Sequence, residues 1–166
     1  MSNQTIKPRG VPNLAARLTK AEQAFRKTLL DLLIQVGRPV AEAELATGSG
    51  WSTEECGGLV STLAAKGLLV KNVAGEIAFV YPVSALPTRH RVTLADGRAF
   101  SAMCAIDALG CAFEFARDAA VTSSCSHCQR PLSVRLAGGR VAHADPPTIQ
   151  VLHVDLDQYG DWAANC

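Results

Sequence analysis

The sequence has no apolar run close to the roughly 20 residues that are needed to cross a bilayer. Its N-terminus also lacks the apolar central region of a secretory signal peptide, and has Pro8, Gly10 and Pro12 there instead. We therefore expect a cytoplasmic protein with no membrane partner. In that compartment cysteines stay reduced, so a cysteine cluster indicates metal binding or catalysis rather than disulfides.

A strong overall charge is lacking as well, since the formal net charge is +1 over 166 residues. Residues 1–98 carry twelve Lys/Arg against eight Asp/Glu, whereas residues 99–166 carry four against seven. A chain with this balance does not attract nucleic acid broadly. The 48% of hydrophobic residues is enough for a packed core and argues against disorder, and the length allows one domain or two small ones.

Two helix starts are marked by the same local motif. Thr19 is followed three residues later by Glu22, and Ser52 by Glu55, which is the spacing of a capping box. Apolar residues recur at helical spacing after Thr19 until Gly37, which is expected to end that helix. Residues 1–18, which precede the first helix, are predicted to be a basic arm that need not be ordered.

A short second helix over 40–46 and a hairpin over 68–80 complete the front part. Three helices followed by a hairpin are typical of a winged helix-turn-helix, so residues 19–84 are predicted to be a winged-helix-like domain. The third helix would face phosphates with Glu54 and Glu55 rather than with cations. We therefore expect a scaffold or docking module, and the charge argues against nucleic acid as a partner.

Residues 85–166 are predicted to form a second, small mixed α/β domain, which makes the whole chain α+β. Residues 82–90 have the composition of a linker, and Asp96-Gly97 predicts a hairpin turn. A helix is expected over 104–115. Strands are predicted around Val121, Leu132, Val134, Leu136 and Val141 and over 149–156.

Four of the six cysteines lie within 25 positions of this second part. Asp107 follows Cys104 by three residues, so a helix would place a thiol and a carboxylate on one face. Cys111 lies on the same stripe two turns later. A buried apolar cysteine and a helix-capping aspartate are the plainer interpretation of this pattern, since cysteine is among the most buried residue types.

Cys125-Ser-His-Cys128 is a Cys-x-x-Cys pair, which supplies half of a tetrahedral zinc site. The missing ligands could come from Cys104, Cys111, His127 or His153. A redox role is disfavoured, because a strand rather than a helix is predicted after the pair. His153 alternates with apolar residues, which is also usual for a histidine without a functional role.

These residues together resemble the organomercurial (alkylmercury) lyase family. Residues 98–109, with Cys104 and Asp107, resemble the family's catalytic Cys-x-x-Asp segment. Residues 121–134 resemble its next motif at matching spacing. Weaker likenesses lie at 37–40, in the front module, and at 161–163 near the C-terminus.

The resemblance implies protonolysis of a carbon–mercury bond, with Cys104 as the thiolate and Asp107 as the proton-handling carboxylate. It implies no required cofactor, Hg(II) as the bound product, and cellular thiols as partners beside a small organometallic substrate. Cys125 matches a family cysteine that looks structural. The family's second catalytic cysteine has no counterpart in the corresponding stretch, 149–154.

Three hypotheses follow from the residues and the resemblance. The first is an alkylmercury lyase with Cys104 and Asp107 at its centre. The second is a protein that cleaves nothing and binds zinc or another soft metal through Cys104, Cys125 and Cys128, with His153 as a weaker ligand. The third is a metal-sensing winged-helix regulator.

Overall fold

The computed structural model describes residues 17–152. The helices in this range are α1 (Lys20–Val36), α2 (Glu42–Ser49), α3 (Thr53–Ala65) and α4 (Ala105–Glu114). The strands are β1 (Leu69–Lys71), β2 (Ile77–Val80), β3 (Val83–Ser84), β4 (His90–Leu94), β5 (Ala99–Ala102), β6 (Ala119–Ser124), β7 (Pro131–Ala137) and β8 (Arg140–Asp145). The predicted α+β class is confirmed. Over these residues, none of the helices has the length and apolar character that a bilayer crossing requires.

Both predicted capping boxes are present. The Thr19 hydroxyl accepts a hydrogen bond from the Glu22 amide at 3.2 Å, and the Glu22 carboxylate accepts one from the Thr19 amide at 2.7 Å. Ser52 and Glu55 make the same exchange at 3.2 and 2.8 Å. Gly37 ends α1 with φ of 68°, a left-handed conformation that glycine adopts without steric cost. Local sequence therefore sets the limits of α1 and the start of α3.

One eight-stranded antiparallel sheet joins the front and back parts, in the order β1-β2-β3-β5-β4-β6-β7-β8. The predicted linker over 82–90 is wrong for Val83 and Ser84, which are buried and form β3. β3 pairs with β2 on one side and with β5 on the other. The predicted domain boundary between residues 84 and 85 thus falls at the end of a strand in the middle of the sheet.

A single apolar cluster fills the space between the helices and the sheet. Phe25 and Leu29 of α1, Leu63 of α3 and Cys111 of α4 all belong to it and are 1% exposed or less. Burial of such side chains is worth about 1.5–3 kcal/mol each, so this cluster is the main stabilising contact between α4 and the sheet. It fixes the position of α4, which begins after Cys104 and carries Asp107 in its first turn.

The predicted strand over 149–156 is wrong for residues 149–152, which are not in a strand. β8 ends at Asp145, and the two prolines that follow cannot donate hydrogen bonds to a strand ladder. The Ile149 amide instead donates to the Pro146 carbonyl at 3.2 Å, which closes a turn. Residues 153–156 lie outside the described residues.

A buried arginine links α1 to α4. Arg26 is 5% exposed, donates to Glu114 at 2.9 Å, and also donates to the Tyr81 carbonyl. Arg26→Met leaves the partly buried Glu114 carboxylate and the Tyr81 carbonyl without this donor, so it is expected to lower the free energy of unfolding by about 3 kcal/mol. Urea denaturation measures this loss. Arg38→Met is the matched control, because the Arg38–Glu44 pair is exposed and should contribute little. Equal effects of the two changes would contradict the structural role of Arg26.

Candidate active site

The first turn of α4 positions Cys104 and Asp107 together. Cys104 is the N-cap residue, with extended backbone angles (φ −135°, ψ 178°), and its sulfur accepts a hydrogen bond from the Asp107 amide at 3.5 Å. Ser, Thr, Asp or Asn usually occupies this position. A thiol therefore stands where a helix N-terminus presents its unpaired amides and the positive end of its dipole.

Asp107 is a buried carboxylic acid. It is 4% exposed, and its Oδ2 atom has no hydrogen-bond partner within the described part of the chain. Burial raises the pKa of Asp107 to about 6, although hydrogen bonds from the side chain and backbone of Cys104 act in the opposite direction. A carboxyl group of this kind can hold a proton close to neutral pH and release it to a neighbour.

Cys104 and Asp107 line one open cleft of about 870 Å³. Cys125 lines the same cleft from the end of β6. The rest of the wall is mainly apolar, with Met103, Ile106, Leu109, Val121, Leu132, Val134, Ile149, Val151 and Leu152. The arrangement thus places a thiol and an acid at one end of a hydrophobic surface that small organic groups can contact.

The Cys125–Cys128 segment is a tight turn between β6 and β7. The Gln129 amide donates to the Cys125 carbonyl at 3.0 Å, and the Cys125 amide donates to the Arg130 carbonyl at 2.9 Å. Gln129 has φ of 60°, a left-handed conformation that is uncommon for residues other than glycine. These contacts hold the backbone in a loop around the Cys125 sulfur.

Hydrogen bonds converge on that sulfur. The backbone amides of Cys128 and His127 and the side chain of Cys128 lower the pKa of Cys125, and the positive charge of Arg89 adds a smaller contribution. Cys125 is partly buried whereas Cys128 is exposed. Two thiols therefore lie next to each other at the edge of the cleft, and one of them is in a setting that favours the thiolate.

Cys111 is part of the core and not of the cleft wall. It is fully buried, and its thiol donates to the Asp107 carbonyl at 3.2 Å. Burial strongly raises the pKa of Cys111, which makes it a poor ligand and nucleophile. The plainer interpretation, that this cysteine fills the core, is confirmed.

Two cleft residues were missed by sequence reasoning. The His90 ring is hydrogen-bonded through Nδ1 to Ser123 Oγ at 2.9 Å, and burial lowers the pKa of His90, with Arg89 contributing. Burial and the nearby Asp107 raise the pKa of Tyr81. Neither residue belongs to a sequence motif. Pairing of distant strands brings both of them to the cleft.

No group of three or more His, Cys, Asp or Glu side chains is arranged to hold a metal ion within residues 17–152. The metal-binding set of Cys104, Cys125 and Cys128 remains a prediction. Its fourth member, His153, lies outside the described residues.

The burial of Asp107 makes stability depend on pH. Its pKa is about 6 in the folded protein against a reference of 3.8, so the folded state keeps a proton that the unfolded chain releases between these values. The stabilisation is complete below about pH 4 and is lost as pH rises through 6, by roughly 3 kcal/mol in total. The free energy of unfolding of Asp107→Asn, relative to that of the native protein, should therefore increase by up to that amount between pH 4 and pH 8. Urea denaturation of both proteins at the two pH values measures it, and a pH-independent difference would contradict it.

Two comparisons with known proteins bear on the family of this chain. The family model described as alkylmercury lyase (MerB) matches residues 83–166, about half of the chain, and this range contains Cys104, Asp107, Cys125 and Cys128. A solved structure described as the mercury-bound form of MerB2 is similar, with a TM-score of 0.63 and 27% sequence identity. The similarity covers 81% of this chain and 65% of that one, so this chain spans slightly less than two thirds of that protein. No curated protein matches this chain.

Proposed function

The chain belongs to the alkylmercury lyase family, and we propose that it cleaves carbon–mercury bonds by protonolysis, as an enzyme of mercury resistance. The observation that carries this proposal is the shared position of Cys104 and Asp107, which lie one helical turn apart and open into the same cleft. The mercury-bound state of the similar structure supports a mercury compound as the ligand.

The first step is capture of the organomercurial by sulfur. Mercury is soft and prefers thiolate to oxygen or nitrogen ligands. The Cys104 thiolate forms a sulfur–mercury bond and displaces the small thiolate or halide that the substrate carries. The hydrocarbon group then lies against the apolar wall, which favours substrates with a small organic group on mercury.

The second step is proton transfer from Asp107 to carbon. A free carbanion is too costly to expel, so the carbon–mercury electron pair must be protonated as the bond breaks. The buried carboxyl, with its raised pKa, supplies this proton, and the products are a hydrocarbon, the Asp107 carboxylate and Hg(II) on Cys104. Solvent returns the proton to Asp107, so no cofactor is required, and cellular thiols remove the metal.

The direct test is incubation of the protein with phenylmercury and excess small thiol, with benzene measured by gas chromatography. Benzene should form over repeated turnovers at a rate proportional to protein. Release no faster than with thiol alone would end the lyase proposal.

A second candidate is a thiolate metal-binding protein that cleaves nothing. The Cys-x-x-Cys turn of Cys125 and Cys128 favours it, with Cys104 in the same cleft and His153 as a nitrogen ligand. Elemental analysis of protein purified without chelator separates the two. Near one equivalent of zinc or another soft metal, without benzene release, would favour this candidate.

We also propose that residues 19–84 are a winged-helix-like scaffold and not a DNA reader. The order of α1, α2, α3, β1 and β2 supports this, and the first turn of α3 carries Glu54 and Glu55. The cation at the far end of α3, Lys66, is paired with Glu22 at 2.7 Å. Binding of duplex DNA at low ionic strength would contradict the scaffold assignment.

A further inference from the structure

We propose that Cys125 and Cys128 form a dithiol site that receives Hg(II) after the carbon–mercury bond is broken. This inference rests on the proposed lyase function and assigns the fate of its metal product. The juxtaposition that carries it is a Cys-x-x-Cys pair in one tight turn at the edge of the cleft that contains Cys104.

Cys104 alone gives Hg(II) a single protein thiolate, and soft ions are held best by more than one. Cys56 and Cys111 are 0% exposed, so among the cysteines within residues 17–152 they are sealed from the cleft. Cys125 lines the cleft and Cys128 is exposed beside it. This pair is therefore the accessible source of further thiolates in the described part of the chain.

The turn arranges the two sulfurs before any metal arrives. Cys125 and Cys128 lie three residues apart in one turn between β6 and β7. The backbone bonds of Cys125 to Gln129 and Arg130 fix this geometry. A preorganised dithiol loses little conformational freedom when it binds a metal ion. Its affinity for the ion is therefore higher than that of a single flexible thiol.

Transfer is a thiolate exchange without any redox change. After cleavage, Hg(II) is held by Cys104 and by one small cellular thiolate. The Cys125 thiolate attacks mercury, and the Cys128 thiol adds as a thiolate while its proton passes to the departing Cys104 sulfur. Two mercury–sulfur bonds form and two break. The products are the Cys125–Hg–Cys128 complex, the Cys104 thiol and the free small thiolate, so Cys104 is ready for another substrate.

The experiment uses the full chain, HgCl₂ as the probe, and a small thiol as competitor. The native protein and Cys104→Ser should each retain close to one Hg(II) per chain after desalting, with two protein sulfurs bound to mercury by X-ray absorption. Cys125→Ser and Cys128→Ser should each lower the affinity by at least about 100-fold, since even an outer hydrogen-bonding partner of a metal ligand is worth 10–100-fold. Ser126→Ala, which changes the same turn without removing a thiol, is the matched control and should bind as the native protein does.

Retention of Hg(II) by a Cys125→Ser/Cys128→Ser double variant at native affinity would overturn the proposal. Failure of the Cys104→Ser single variant to retain Hg(II) would also overturn the proposal. The lyase function fails by a different result, which is absence of benzene from phenylmercury while the dithiol still binds HgCl₂. If both proposals are correct, the double variant should release benzene more slowly after the first equivalent per chain, because only small thiols then remove Hg(II) from Cys104.

Discussion

Replacement of Cys104 by serine should reduce benzene release from phenylmercury by about 10⁴-fold or more, to the rate without protein, as loss of an enzymatic nucleophile does. The hydroxyl has nearly the shape of the thiol but no affinity for mercury, so the substrate is not captured. A gas-chromatographic time course with native and variant protein measures the effect directly.

This substitution separates chemistry from folding unusually well. Cys104 caps α4 by accepting the Asp107 amide hydrogen bond, and serine is among the preferred residues at an N-cap. Urea denaturation should therefore place Cys104→Ser within about 1 kcal/mol of the native protein. A variant that is folded but inactive assigns the loss to sulfur.

Cys56→Ala is the control for loss of a cysteine in general. Cys56 is buried in α3 and does not line the cleft, so its removal leaves a small cavity that costs about 1 kcal/mol of stability and leaves benzene release unchanged. Substantial cleavage by Cys104→Ser, or equal loss in both variants, would contradict the role of Cys104.

The parts of the fold that sequence predicted are those set by local chemistry. Thr19 and Ser52 each have a glutamate three residues later, and both capping boxes are present. The helix predicted over 104–115 is present as Ala105–Glu114, with Cys104 as its N-cap. In such cases the information lies within one turn of helix, and tertiary contacts do not override it.

The cleft depends on pairings between residues that are distant in sequence, and these pairings could not be predicted from the sequence. His90 meets Ser123 because β4 pairs with β6, and Tyr81 comes close to α4 because β3 places the front part beside β5. Val83 and Ser84 looked like a linker from their neighbouring prolines, yet burial in the middle of the sheet makes them a strand. Residues 149–152 have the alternation of a strand but follow a double proline, and they line the cleft instead.

The same contrast applies to the site. The Cys-x-x-Asp spacing predicts two side chains on one helical turn, and it is compatible with either a core position or a reactive one. The surroundings of each side chain distinguish a core position from a reactive one. Asp107 lies in a setting that raises its pKa and opens onto the cleft, whereas Cys111, on the same stripe, is enclosed by the core.

Replacement of Asp107 by asparagine should slow cleavage by about 100- to 10,000-fold, the usual contribution of a positioned general acid. Asparagine keeps the size and the hydrogen-bond acceptor but has no acidic proton. Capture of phenylmercury by Cys104 should persist, so the variant should accumulate the phenylmercury adduct, which mass spectrometry of the intact protein detects. Asp118→Asn is the matched control, because Asp118 is exposed and accepts a hydrogen bond from Gly138 away from the cleft lining.

The pH profile of the preloaded native adduct tests the same assignment independently. A general acid is active when protonated, so the cleavage rate should be constant at low pH and fall about tenfold per pH unit above the pKa of Asp107. That pKa is about 6 in the free protein, where the hydrogen bond from the Cys104 side chain holds it down. Mercury replaces the thiol proton and removes this bond, so the midpoint in the adduct should lie above 6. Because capture precedes the measurement, ionisation of Cys104 does not enter the profile. A rate that rises with pH across this range, or an Asp107→Asn adduct that decays with the native profile, would show that the proton comes from another group.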